Sequence, residues 1–197
     1  GVEFPVLAEQ KVIGGGYRKE AVCPICGSFD RERLVYLFLL HKTQIFENHI
    51  KLLHVAPEAR VAKLLQSSVN VEYLSADISS DNVMVQMDIA DIRAPDNSFD
   101  AIICNHVLEH VVDDRKAMNE LCRVLKPGGW AILQVPISLT LKRTYEDGSI
   151  TTMEGREEAF GQWDHVRIYA EDYLERLEQA GFEVTTFRWV TDRSEEQ

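Results

Sequence analysis

Four short apolar runs end in side chains able to hold a ligand. Residues 52–55 lead into Ala56-Pro57-Glu58, residues 71–74 into Ala76-Asp77-Ile78, residues 83–87 into Asp88-Ile89, and Phe99–Cys104 into Asn105-His106. A carboxylate about twenty residues past the first of these ends is placed to accept hydrogen bonds from the two hydroxyls of an adenosine ribose, so Asp77 is the candidate for that contact. Asp88 is placed to accept from the adenine amino group, with Ile78 and Ile89 forming the apolar slot around the ring. Either aspartate alone is equally well explained as a turn cap; both together, on adjacent strands, favour a site. Proton transfer calls for imidazole near neutral pH. His106 and His110 flank Glu109, and His165 follows Asp164. His165 is the candidate base, and His110, also a candidate, reads as the more structural of the two.

The elements that must position these groups alternate. Helical spacing of Val61, Leu64 and Leu65 follows the first run, and Met118, Leu121, Cys122 and Leu125 follow the fourth, capped by Asp113 or Asp114 and stopped by Lys126-Pro127-Gly128-Gly129. A fifth strand is expected over 130–135, a helix carrying Tyr173, Leu174, Leu177 and Ala180 up to Gly181, and a sixth strand over 182–190. Strand-helix alternation predicts an α/β fold with a doubly wound, mostly parallel sheet. In such sheets ligands bind beyond the carboxyl ends of the strands where strand order reverses. Upstream, Asp30 is expected to cap a helix whose inner face holds Leu34, Leu37, Phe38 and His41. The organisation expected is a small N-terminal cap over 1–49 and a main domain over 50–197. Its stretch 137–169 has weak periodicity and is too long for a plain connection, which makes it a substrate-side lid.

Composition narrows the partners. The 197 residues carry a net charge of -11, from 21 Lys and Arg against 32 Asp and Glu, so a general nucleic-acid binder would work against its own field. The longest apolar stretch, 34–40, is far short of a membrane span, and no leader pattern opens the chain. Four cysteines without a framework pattern fit a reducing, cytoplasmic setting. Arg31, Arg33, Lys142, Arg143, Arg156 and Arg167 bias the expected mouth toward anions. The dinucleotide fingerprint that an oxidoreductase needs between first strand and helix is absent, and Gly14 to Gly16 lead to a cysteine turn instead.

Asp96-Asn97-Ser98-Phe99-Asp100, Asn105-His106-Val107-Leu108-Glu109-His110 and Leu121-Cys122-Arg123-Val124-Leu125-Lys126-Pro127-Gly128-Gly129 resemble, in order and spacing, successive motifs of the class I S-adenosylmethionine-dependent methyltransferases. The resemblance runs from about residue 51 to 190. It implies a Rossmann-like seven-stranded sheet, S-adenosylmethionine over strands one to four, and methyl transfer to a small-molecule acceptor under the lid, such as a sugar or other anionic metabolite. The family's first loop carries an acidic residue and then a glycine-rich pattern. Here His54, Ala56, Pro57 and Glu58 stand at those positions, with no glycine. Glu58, at a helix start where an anion is favoured, is expected to bind the cofactor's ammonium or ribose. With Asp77, Ile78, Asp88, Ile89, Asn105 and His106 these make the cofactor-binding set. The competing reading is a catalytically silent binding module on the same fold.

Cys23-Pro24-Ile25-Cys26-Gly27 has the spacing of a zinc knuckle, and similar segments precede some methyltransferase domains. Zinc takes four ligands and Cys23 and Cys26 supply two, so zinc is expected only if further ligands lie upstream.

Overall fold

Leu52, Leu53, His54 and Val55 are consecutively buried, the pattern of a strand covered on both faces. A computed structural model describes residues 4–16 and 20–189 and places this strand at the centre of a parallel sheet. In chain order the elements are α1 (Pro5–Glu9), β1 (Val12–Ile13), α2 (Asp30–Lys42), β2 (Ile50–Val55), α3 (Ala59–Gln66), β3 (Val71–Asp77), β4 (Val85–Gln86), β5 (Phe99–Cys104), a 3-10 turn (Leu108–His110), α4 (Asp114–Val124), β6 (Leu125–Ile132), β7 (Ile137–Ser138), β8 (Tyr145–Glu146), α5 (Met153–Phe160), β9 (Arg167–Ile168) and α6 (Tyr173–Gln179).

The sheet order is β4-β3-β2-β5-β6, all neighbours parallel, with Leu53 opposite Leu74 on one side and Ile102 on the other. The chain moves from β2 outward to β4 and then returns to the other side of β2. The order therefore reverses between β2 and β5, whose carboxyl ends flank the crevice. Alternation along each strand feeds two cores: Leu52, Ala101 and Ile103 pack with Val35, Leu39, Val61 and Leu65, whereas Leu53, Val55 and Ile102 pack with Met118, Leu121, Tyr173 and Leu177. Gly129 is required where β6 turns in beside β5, because a Cβ there would lie 2.7 Å from the Asp100 carbonyl oxygen.

Several expectations change. The resemblance implied seven strands, and five form the sheet among the described residues. The third run pairs only at Val85–Gln86, an exposed edge. The expected sixth strand ends at Val190, outside the described residues, and 182–188 are not assigned to a strand. Their alternating apolar pattern is met by side-chain packing: Phe182 and Val184 reach the core, and the Phe187 ring lies 5.2 Å from that of Phe38 on α2. On α2 the cap is Phe29 rather than Asp30, and the buried face is Glu32, Val35 and Leu39. Glu32 turns inward because its carboxylate accepts from the Phe29 backbone N–H at 2.7 Å, closing the helix start.

The 137–169 stretch is ordered. β8 pairs with β9, and β1 pairs antiparallel with β7, Val12 opposite Ser138. The N-terminal segment thus lies against the stretch after β6, and a Cβ at Gly14 would come within 4.0 Å of His106 Cε1. Among the described residues no helix is long and apolar enough to cross a membrane.

Candidate active site

β2 ends in a chain of polar contacts. The fully buried His54 ring places Nδ1 3.0 Å from the Tyr73 hydroxyl and Nε2 3.1 Å from Glu58 Oε2, while Asn105 Nδ2 donates to Glu58 Oε1 at 3.4 Å. Burial pushes the Glu58 carboxyl upward, but the His54 contact and the Asn105 hydrogen bond outweigh it and hold the group below its ordinary value. Glu58 is the N-cap of α3. His54, expected at the cofactor, has both nitrogens engaged behind the loop and so supports Glu58 from below. Ala56 adopts φ +45°, the left-handed conformation glycine favours, and donates its N–H to the Ala76 carbonyl at 2.8 Å. The loop keeps a glycine-type shape without glycine, at some strain. Pro57 and Glu58 follow, half-buried.

On β3, Asp77 Oδ1 accepts from the backbone N–H of Ser79 and Ser80, both at 2.8 Å, an Asx-type turn that fixes the carboxylate at the strand's end. Asp88 is exposed and caps its own turn by accepting from Ala90 N–H at 2.8 Å. The two isoleucines separate: Ile78 is 70% exposed beside Asp77, whereas Ile89 is 4% exposed within the core. The apolar slot therefore has one open wall, Ile78. Ile89 is instead a member of the larger core cluster.

β5 delivers the least satisfied groups. Asn105 is 2% exposed, and its Oδ1 has no partner among the described residues. His106 sits at φ +55°, donates its N–H to the Gln134 carbonyl at 2.7 Å, and brings Nδ1 3.4 Å from Glu109 Oε1. His106 Nε2, Glu109 Oε2 and Gln134 Oε1 are likewise buried without partners. Buried polar groups are nearly always paired, so unpaired ones at the ends of neighbouring strands β5 and β6 are candidates for a ligand's polar atoms. These groups, with half-buried Asp77 and open Ile78, suit a nucleoside-bearing ligand with its own donors.

The two candidate catalytic histidines meet. Val166 donates to the Glu109 carbonyl at 3.0 Å, and Arg167 donates to the carbonyls of Leu108 and Val112, each at 2.9 Å. These bonds fasten the segment around β9 to the 3-10 turn, so the His110 and His165 rings stand edge to face, 4.7 Å apart. His110 Nδ1 lies 3.2 Å from Asp164 Oδ2. Burial pushes the His165 pKa down, leaving a neutral imidazole at neutral pH. Glu109, Asp164 and Gln134 were not among the expected site residues. Glu109 was visible as the carboxylate between two histidines at helical spacing, and Gln134 as the polar residue in an apolar run.

Other expectations resolve into structure. Arg167, counted toward an anion-binding mouth, is buried as the lid's clamp, and Arg33 donates to the Ser28 and Ala21 carbonyls. Cys26 Sγ lies 3.0 Å from Ser28 Oγ, and hydrogen bonds from Ser28 lower its pKa to about 7. Among the described residues the only metal-compatible group of three or more is Glu109, His110 and His165, so no third ligand joins Cys23 and Cys26 there.

The parallel sheet with its order reversed between β2 and β5 is a Rossmann-like scaffold. Residues 47–133 match the family model described as a methyltransferase domain. An S-adenosylmethionine-dependent methyltransferase of Mycolicibacterium smegmatis is 30% identical over 116 residues, covering 59% of this chain and 38% of that protein. The Vibrio cholerae ubiquinone/menaquinone biosynthesis C-methyltransferase UbiE is 31% identical over 120 residues, covering 54% of this chain and 46% of that protein. This chain thus spans less than half the length of these curated relatives. In fold, the [4+2]-cyclase SpnF superposes with a TM-score of 0.61 at 20% identity, covering 96% of this chain and 72% of that one. Over residues 47–133 the chain thus resembles methyltransferase domains, among them that of an S-adenosylmethionine-dependent relative.

Proposed function

We propose that the protein transfers a methyl group from S-adenosylmethionine to a small organic acceptor held between the β5 edge and the lid. The observation that carries this is the set of partnerless buried polar atoms on Asn105, His106 and Glu109 after β5, where the sheet order reverses, and on Gln134 after the neighbouring β6. S-adenosylmethionine, when bound, supplies an electrophilic methyl on a sulfonium. Asp77, braced by its turn, is the group for the ribose hydroxyls, and Asp88 and Ile78 are the groups for the adenine. Glu58 and Asn105 line the crevice at the β2 and β5 ends. His54 is a positioning residue, acting through Glu58.

The chain's remaining task is to orient the acceptor and take up its proton. His165 is suited to that as a buried imidazole neutral at working pH, with His110 and Asp164 fixing its surroundings. The printed names of the quinone-biosynthesis relatives support an organic acceptor of small size. A sugar or anionic metabolite has less behind it, since two of the expected cations hold the chain's own carbonyls. The absence of membrane-crossing helices among the described residues fits a catalyst working from water.

Calorimetry with S-adenosylhomocysteine tests the reading. Wild-type protein is expected to bind, and Asp77→Ala to weaken binding more than tenfold. No heat at millimolar ligand would leave a silent module on a methyltransferase scaffold, the reading that the glycine-free first loop favours.

A further inference from the structure

We propose that Glu109, His110 and His165 form a binding site for a divalent transition-metal ion on the acceptor side of the crevice. One ligand atom of each residue lies within 4.8 Å of the others. The sequence places two of them side by side after β5 and the third on the lid, and the Val166 and Arg167 bonds to the 3-10 turn bring them together.

Independent features point to an ion rather than a simple polar cluster. Glu109 is 2% exposed and its Oε2 has no hydrogen-bond partner, although two imidazoles stand beside it. A buried carboxylate oxygen without a proton or cation is costly, and an ion would relieve it. Each ligand is also held from behind, as metal ligands are. His106 Nδ1 lies 3.4 Å from Glu109 Oε1, leaving Oε2 over. Asp164 engages His110 Nδ1 at 3.2 Å, leaving Nε2. His165 packs edge to face with the His110 ring, centroids 4.7 Å apart, which orients it.

Two imidazoles and one carboxylate form a borderline nitrogen and oxygen donor set. It suits Zn2+, Co2+, Mn2+ or Fe2+ better than Ca2+, which prefers oxygen alone, or Cu(I), which prefers sulfur. Ligand-metal distances of about 2.1 Å require the three groups to close slightly around the ion. Three protein ligands leave coordination positions open, and the ligand they would take is an acceptor presenting hydroxyl or enolate oxygens. That last role rests on the methyl-transfer reading; the metal site itself does not. With an ion in place His110 and His165 would be ligands, and an acceptor hydroxyl on the ion would have a lowered pKa and lose its proton to solvent water, which removes the need for a histidine base.

The test uses the full chain carrying Cys23→Ser and Cys26→Ser, which removes the thiols as a competing site. Co2+ alone is titrated by visible absorption and Zn2+ alone by calorimetry. The expected result is one equivalent bound, with the d–d bands of nitrogen and oxygen ligation and no thiolate charge-transfer band. Glu109→Gln and His165→Ala, each confirmed folded by its melting curve, should weaken binding at least tenfold, and Asp164→Asn by less. If either variant fails to fold, the stoichiometry and ligand spectrum of the parent chain decide. No binding in the cysteine-free chain, or binding unchanged in a folded Glu109→Gln protein, overturns the proposal. S-adenosylhomocysteine binding in the same samples separates the readings: its persistence without metal binding removes only the ion, and its absence with metal bound removes only the methyl transfer.

Discussion

The first loop, His54 to Glu58, and the turn after β5, Asn105 to His110, lie on neighbouring strands and are finished differently. In the loop every polar atom of His54 and Glu58 has a partner, from the Tyr73 hydroxyl through the imidazole and the carboxylate to the Asn105 amide. Along the turn three residues each leave a buried polar atom unpaired. The loop is therefore a closed structural device that has replaced glycine freedom with a hydrogen-bonded brace, and the turn is where the chain holds chemistry in reserve. The motif residues behind them follow the loop's pattern: Arg123 binds Glu120, Asp96 and the carbonyls of Ala94 and Ile92, and Lys126 pairs with Asp100 at 2.8 Å.

If that contrast is right, mutations in satisfied networks cost stability, and mutations in the turn cost function. The largest stability loss is expected at the lid clamp, where Asp114 Oδ2 receives Arg176 and the Tyr169 hydroxyl in a buried site. Asp114→Ala takes the buried carboxylate from the Arg176 guanidinium, leaving it Glu146 alone at close range, and removes the Tyr169 hydroxyl's acceptor, and should cost about 3 kcal/mol in chemical denaturation. Glu58→Ala leaves His54 Nε2 unpaired in the interior and should cost about 1–3 kcal/mol. Acid should loosen the lid next. Burial raises the Glu146 pKa, but hydrogen bonds from Arg176 and Arg167 more than offset this and hold it below the ordinary value. Its stabilisation is thus complete above the unfolded carboxylate range, near pH 4.3, and is lost as pH falls through the lower folded value. Glu146→Gln should flatten that decline in pH-dependent melting. Ala56→Gly removes left-handed strain and should change stability by no more than about 1 kcal/mol, toward higher melting. The smallest change is expected for Glu109→Gln, which discards a buried charge without a hydrogen-bonded cation: melting equal to or above wild type, with methyl transfer lost. A large fall in its melting temperature would erase the distinction between the two regions.

The sheet's inner strands were legible because buried parallel strands read as unbroken apolar runs, and β5 was located to the residue. Helix α4 was equally clear, with Asp113 accepting from Lys116 N–H as its cap. The edge was not: Val83 to Met87 has strand composition, but length at an edge depends on how much partner strand faces it, and β3 offers two residues. The run from Phe182 was misjudged because alternation reports burial on two sides, which ring packing on α2 supplies as well as a ladder does. At the site, Asp77 stood out as a strand-end carboxylate. The burial of His54 and Ile89 was not legible, since it depends on residues distant in sequence, such as Tyr73, packing in from elsewhere. Glu109 was overshadowed by its flanking histidines; only the lid's return to the 3-10 turn, through Val166 and Arg167, shows that these residues share one place.

Crystals grown with S-adenosylhomocysteine test the central claim most directly. The account predicts the ribose hydroxyls on the Asp77 carboxylate, with ligand donors meeting Asn105 Oδ1 at the β5 edge. A nucleoside bound elsewhere, or a crevice filled by the chain's own side chains at saturating ligand, would contradict it.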